Sequence, residues 1–384
     1  MDSGATSDTA SPGASGNGNP ARTPGQKVLD FLKTEAFYFA VVILVAVLGS
    51  VRTWKEFQAQ AEQQRTGQPR QDAGPGPLLQ KDLDAIERDC LNVARQHPEA
   101  ADCRRAAAVF RSVQALNLYL CWGGAVVALV LGLSWGLQGR DAVLPAASDP
   151  PWGLWDVCKL AALWVAGALA LHSKLFFPLS PQRPFAAPGD WIAEIFVSIL
   201  LAGVTIHIVV AERGGRLRDL GIRGKFFGSV GVGLAALLAI QPFLRLVEVL
   251  VELVTKNETP VQQLLQVILR TRSGWVLALA AFVAVVVAPI SEELLFRGFL
   301  QPALGRWTGR WAAIVLSAAF FAAAHMDLYA MPTLLILGVA LACVYDRTRS
   351  LAAPVALHMA FNALTLLSVF AFRGLIMTAL STPR

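Results

Sequence analysis

Two adjacent carboxylates and an arginine interrupt the stretch "VAVVVAPISEELLFRGF", residues 283 to 299, where almost every other side chain is apolar. On a helix Glu293 and Arg297 stand four residues apart and can pair on one face. Glu292 points about 100° away from that pair. An ionisable residue at the centre of a membrane span costs about 2.5–3.5 kcal/mol on insertion scales, so such residues are functional candidates by default. Two neighbouring carboxylates in a low dielectric do not both ionise readily. That suits one of them to take or give a proton as a general base or acid. The plainer reading is a solvated helix end, with Pro289 closing the apolar run.

Three further polar interruptions follow. "FFAAAHMD", residues 320 to 327, ends in His325, with Phe321 one turn earlier on the same face and Asp327 in the expected loop, where it is solvated. "ALHMAFNAL", residues 356 to 364, carries His358 and Asn362 at i and i+4, so both project into one region. Taken singly, either histidine is ordinary interhelical hydrogen-bonding material. Taken together, Glu292, Glu293, His325, His358 and Asn362 supply what peptide hydrolysis needs: a base for water, imidazoles that move protons, and an amide donor for an oxyanion. Glu292, His325 and His358 are also ligands that suit a divalent metal such as zinc. No HExxH is present, so the zincin arrangement is absent and a metal-free reading stays open.

The elements that must position these groups are membrane helices. Of 384 residues, 55% are hydrophobic and only 16% charged, and the mean hydropathy is +0.51. A soluble domain averages nearer 25% charged. Apolar segments lie near 37–51, 116–137, 154–171, 191–210, 226–251, 275–291, 311–325, 331–345 and 354–372. This spells an all-α, polytopic transmembrane bundle of about nine spans, an eight-helix core plus an N-terminal anchor helix. The expected organisation is a disordered tail over 1–35, an anchor helix over 36–51, a polar, partly helical loop over 52–113, and the membrane bundle over 114–384. The formal charge of +6 belongs to short loops, as the positive-inside rule expects, and no basic helix or nucleic-acid motif accompanies it.

The loop "ERGGRLRDLGIRGK", residues 212 to 225, carries five basic residues and is placed in the cytoplasm. Alternation then puts the 52–113 loop and the C-terminus outside. There Cys90 and Cys103, two of five cysteines, are a candidate disulfide. The glycine-rich "GSVGVGLAA", residues 228 to 236, has no strand before it and reads as a close helix contact, not a phosphate loop. Straight, alternating helices would separate Glu292 from His325 by a whole span of about 30 Å. A shared site therefore requires tilted or staggered helices, or a Glu292 helix that continues past Arg297 and sets the glutamates deeper.

"EELLFR" (292–297), "FAAAH" (321–325) and "HMAFN" (358–362) are EExxxR, FxxxH and HxxxN, in that order. The chain thereby resembles the CAAX protease and bacteriocin-processing family, also called the Abi or type II CAAX prenyl endopeptidase family, over about residues 190–372. The resemblance implies an intramembrane endopeptidase acting on a membrane-associated protein or peptide at the lipid bilayer. It implies Glu292 as the base that activates water, assisted by His325, and His358 with Asn362 as the oxyanion stabilisers. Glu293, Arg297 and Phe321 are implied as supporting and positioning residues. The family is often labelled a metalloprotease, and a glutamate–histidine mechanism without metal is also proposed for it. A non-proteolytic scaffold or bacteriocin-immunity role on the same fold is the alternative. A transporter would predict an inverted repeat, which the two halves do not display. The Ala, Gly and Arg bias suggests a bacterial cytoplasmic membrane, where a prenylated target is not expected.

Overall fold

The computed structural model describes residues 87–92, 96, 101–138, 150–172, 188–223, 226–255, 267–268, 271–325 and 327–381. The expected tail, the 37–51 anchor helix and the side chain of Cys103 lie outside these residues, and with them the Cys90–Cys103 pairing. Among the described residues there are helices and turns and no strand. The principal helices are α1 (Ala101–Gln138), α2 (Leu154–His172), α3 (Pro188–His207, continued by a π-helical turn to Glu212), α4 (Phe226–Thr255), α5 (Gly274–Thr308), α6 (Arg310–Ala324), α7 (Met331–Thr348) and α8 (Ala352–Ser381). Six are long and apolar enough to cross a membrane, while α6, at 15 residues, is shorter. The chain is an all-α membrane bundle.

The helices outrun the apolar segments that announce them. α1 begins at Ala101, not near 116, so the boundary expected at 113/114 falls inside it. Hydropathy marks where lipid contact stops, whereas the i→i−4 hydrogen-bond ladder continues through polar residues of good helix propensity. At 38 residues, α1 is about 57 Å long, well beyond a hydrocarbon core of about 30 Å. Its extension packs on the far end of α8, where Phe110 meets Phe372 at 5.9 Å between ring centroids. Asn117 donates to the Ser368 hydroxyl at 2.9 Å. The N-terminal part of α1 and the C-terminal half of α8 therefore pack side by side.

Close helix approach rests on small residues. A Cβ on Gly233 would run into the Ala353 carbonyl oxygen, and one on Gly124 into that of Leu238. Within the glycine-rich stretch of α4, Gly233 is thus the point of close packing against α8, while Gly228 and Gly231 have nothing within 4 Å. One core joins α4, α5, α6, α7 and α8 through Leu244, Leu300, Phe321, Leu337, Leu341 and Leu357.

The largest departure from the expected spans concerns α5. It does not end near residue 291 but runs 35 residues to Thr308. Pro289 lies buried inside it, so the solvated helix end is overturned. Two π-helical turns, Val283–Val287 and Leu294–Leu300, interrupt its α-helical ladder. Each is followed by a proline near the start of the next α-helical stretch, Pro289 and Pro302. Proline removes one ladder donor and crowds the preceding turn, and each wider turn stands just before such a ring.

Candidate active site

The turn between α5 and α6 sets the heights of the site residues. Gly309 has φ of 79°, a backbone state that suits glycine. Glu292 precedes this turn by 17 residues and His325 follows it by 16, so at 1.5 Å per residue each stands about 25 Å along its helix from the same corner. The whole-span separation implied by simple alternation disappears because α5 continues past Arg297.

Glu293 and Arg297 are both 0% exposed and pair at 3.2 Å, Arg297 Nη1 donating to Glu293 Oε1. Arg297 Nη2 donates to the Gly338 carbonyl at 3.1 Å. A Cβ on Gly338 would press on Ala318 at 3.1 Å, so a glycine here lets α6 and α7 close together beside the guanidinium. The guanidinium carbon lies 4.5 Å from the centroid of the buried Phe321 ring, a cation–π geometry. One turn further, Gln301 donates to the Ala342 carbonyl at 3.2 Å. Glu293, Arg297 and Gln301 thus form a polar ladder at i, i+4 and i+8, buried against α7.

His358 reaches across from α8. Its Nδ1 lies 2.9 Å from Glu293 Oε1. With Glu293 accepting from Arg297 as a carboxylate, the imidazole donates its Nδ1–H to the same oxygen. The opposite ring edge, Nε2, then faces Glu292 Oε2 at 3.9 Å. Glu292 is 29% exposed. One carboxylate is locked to the arginine and the other is partly exposed, in keeping with the 100° offset along the helix. His358 itself is buried.

Phe321 joins the second motif to the others. Its ring is edge-on to His325 at 4.8 Å, to His358 at 5.6 Å and to Phe296 at 5.5 Å. His325 caps the C-terminal end of α6, with Nδ1 2.8 Å from the Phe321 carbonyl, and is exposed. Asn362 donates Nδ2–H to the Ala284 carbonyl, in the first π turn, at 2.7 Å. Asp327 is not merely a solvated loop residue: Oδ1 accepts from the backbone N–H groups of Tyr329 and Ala330 at 3.0 Å each, shaping the turn into α7.

The metal reading fares less well. Glu292 and His358 offer two ligands at one place. Among the described residues no three His, Cys, Asp or Glu side chains are grouped as a metal site. The proposed trio of Glu292, His325 and His358 does not fit one in this conformation, because His325 joins the others through the Phe321 ring and not directly.

Residues that sequence reasoning missed are Gln301, Ser317, Gly338 and Trp152. Gln301 had a legible signal, the i+4 continuation of Glu293 and Arg297. The others are set by tertiary contacts.

Residues 274–364 match the family model described as Type II CAAX prenyl endopeptidase Rce1-like. The match opens on the first residue of α5 and closes two residues beyond Asn362, so it holds all three motifs. No curated protein and no solved structure matches the chain. The bundle is that of an integral membrane protein, and its residues 274–364 are similar to the type II CAAX prenyl endopeptidase family. The matched segment carries the EExxxR, FxxxH and HxxxN motifs complete.

Proposed function

We propose that the chain hydrolyses a peptide bond of a membrane-associated protein or peptide, with Glu292 as the base that activates water. The observation that carries this reading is the contact between motifs: Glu293 Oε1 holds His358 Nδ1 at 2.9 Å and turns Nε2 toward Glu292. A carboxylate that fixes one imidazole nitrogen so that the other faces the reacting groups is a recurring catalytic arrangement.

The half-open space by Glu292 is where water and the scissile carbonyl meet. Glu292 takes a proton from water as the water oxygen bonds to the carbonyl carbon. With His358 in its imidazolium form, Nδ1–H on Glu293, the resulting oxyanion accepts from its Nε2–H and from the second Nδ2–H of Asn362, whose first is held by Ala284. Collapse of the tetrahedral intermediate breaks the C–N bond, and the proton on Glu292 passes to the leaving nitrogen. His325, with Nδ1 directed to the Phe321 carbonyl, has Nε2 as its free edge and assists that transfer from the exposed side. Arg297 neutralises Glu293 so that it remains an acceptor.

The test compares wild type with Glu292→Gln, expressed at equal levels in the native cell, by profiling the termini of all membrane-associated proteins. New termini seen only with wild type support hydrolysis and name the substrate. Matching profiles from equally folded proteins overturn it in favour of a non-proteolytic scaffold or immunity role.

A further inference from the structure

Side chains from outside α5 reach its π turns. Beyond Asn362 on Ala284, two of them grip the second turn, Leu294–Leu300, which carries Arg297. Ser317 of α6, fully buried, donates Oγ–H to the Phe296 carbonyl at 3.1 Å. That carbonyl also accepts the backbone N–H of Gln301 five residues on, the bond that defines the wide turn. Trp152, fully buried, donates its indole N–H to the Phe299 carbonyl at 2.9 Å and stacks on the Phe299 ring at 5.5 Å and 13°.

A π turn carries one residue more than the α turn it replaces. Relaxing it to α geometry would rotate everything on one side by about 100° relative to the other. Here the turn lies between Glu292–Glu293 and Gln301, so relaxation would break either the Glu293–His358 contact or the Gln301–Ala342 contact. Such turns are uncommon and concentrate at functional sites. A side-chain donor on a carbonyl of the turn adds a bond that the relaxed geometry cannot keep in place.

Trp152 lies outside the segment that matches the family model. It is nevertheless anchored as firmly as the motif residues. Arg306 of α5 donates to the Pro150 and Trp152 carbonyls at 3.1 and 3.3 Å. Asp156, buried in the first turn of α2, accepts from the Gly153 N–H at 3.0 Å and from Arg213 at 2.6 Å. The short stretch before α2 is therefore tied to α5 on one side and to the loop after α3 on the other.

We infer that Trp152 and Ser317 are positioning residues: they hold the second π turn of α5 in register, and through Arg297 and Glu293 set the aim of His358 at Glu292. This inference rests on the endopeptidase reading above. It places part of the control of the site in the segment before α2.

The test uses the full chain in detergent micelles and in the native membrane, as wild type, Trp152→Phe, Ser317→Ala and the double variant. Phe keeps the stacked ring and removes only the indole donor. Two readouts are taken on protein shown to be folded by its melting curve. One is the rate at which the wild-type-specific termini appear. The other is the ¹⁵N resonances of His358 in histidine-labelled protein, assigned with His358→Gln. The expected result is a rate lowered about tenfold for each single variant and up to about a hundredfold for the double, the scale on which remote misplacement of reacting groups acts. The His358 ¹⁵N resonances should move in the direction produced by Glu293→Gln. Wild-type rates with unmoved resonances would overturn the inference, as would a rate falling only in proportion to folded protein. If Glu292→Gln leaves the terminal profile unchanged, the endopeptidase reading fails, and the His358 resonances alone then decide whether Trp152 and Ser317 position the ring.

Discussion

Two arginine–glutamate pairs, each about one helical turn apart, sit on long apolar helices of this chain. In α5, Arg297 and Glu293 are 3.2 Å apart; in α4, Arg245 and Glu248 are 3.1 Å apart. The bond lengths barely differ, yet the surroundings are opposite. The α5 pair is 0% exposed on both sides and shares its atoms with His358, Gly338 and the Phe321 ring. The α4 pair is 59% and 40% exposed and turns away from the bundle. Spacing along one helix makes a pair possible. The neighbouring helices decide whether that pair becomes part of a site.

The comparison can be broken most severely at Glu292. Glu292→Gln keeps the volume and the half-open position but removes the base. Cleavage in the native membrane should fall by a factor of about 10²–10⁴, while the melting temperature of the purified protein stays near that of wild type. Retained cleavage would remove the α5 cluster from the chemistry.

The next effect separates the two pairs directly. Arg297→Met leaves Glu293 buried beside His358 without its cation and should destabilise the fold by about 3–5 kcal/mol. Arg245→Met, at the exposed pair, should change stability by no more than about 1 kcal/mol. Reversible unfolding of both variants in the same micelles provides the measurement. Similar losses would mean that burial does not distinguish the pairs.

A smaller contrast concerns the seam that lets α8 approach. Gly233→Ala places a methyl group against the Ala353 carbonyl and should cost about 1–3 kcal/mol through overpacking. Gly231, two residues earlier on α4, has nothing within 4 Å of the added carbon. Gly231→Ala should be neutral or stabilising by up to about 1 kcal/mol through helix propensity. The same unfolding assay reads both.

Much of the site was legible in the sequence because its chemistry is written in local spacing. Glu293 and Arg297 at i and i+4, His358 and Asn362 at i and i+4, and the 100° offset of Glu292 follow from helix periodicity alone, and the three motifs carry a family resemblance that the match over residues 274–364 shares. What the sequence did not disclose has physical reasons. Pro289 resembled a helix end because proline usually breaks a ladder. Here α5 instead carries a π turn before each of Pro289 and Pro302, and a pattern read at 3.6 residues per turn has no mark for that. The early starts of α1 and α5's late finish were hidden because hydropathy reports lipid contact and not backbone hydrogen bonding. Asn362 was expected to aim its amide at an oxyanion, and one of its protons is occupied by Ala284, a contact 78 residues distant. Trp152 and Ser317 carried no local signal, since a buried tryptophan or serine reads as core until its partner carbonyl is known.

The account turns on one contact between motifs, Glu293 with His358. A double-mutant cycle of Glu293→Gln, His358→Gln and the pair, followed by reversible unfolding in micelles, measures it without any substrate. If the motifs form one hydrogen-bonded unit, the two substitutions couple by about 1–3 kcal/mol, well above the few tenths found between independent sites. Additivity within about 0.5 kcal/mol would contradict a shared site, leaving the EExxxR and HxxxN motifs as neighbours with separate roles.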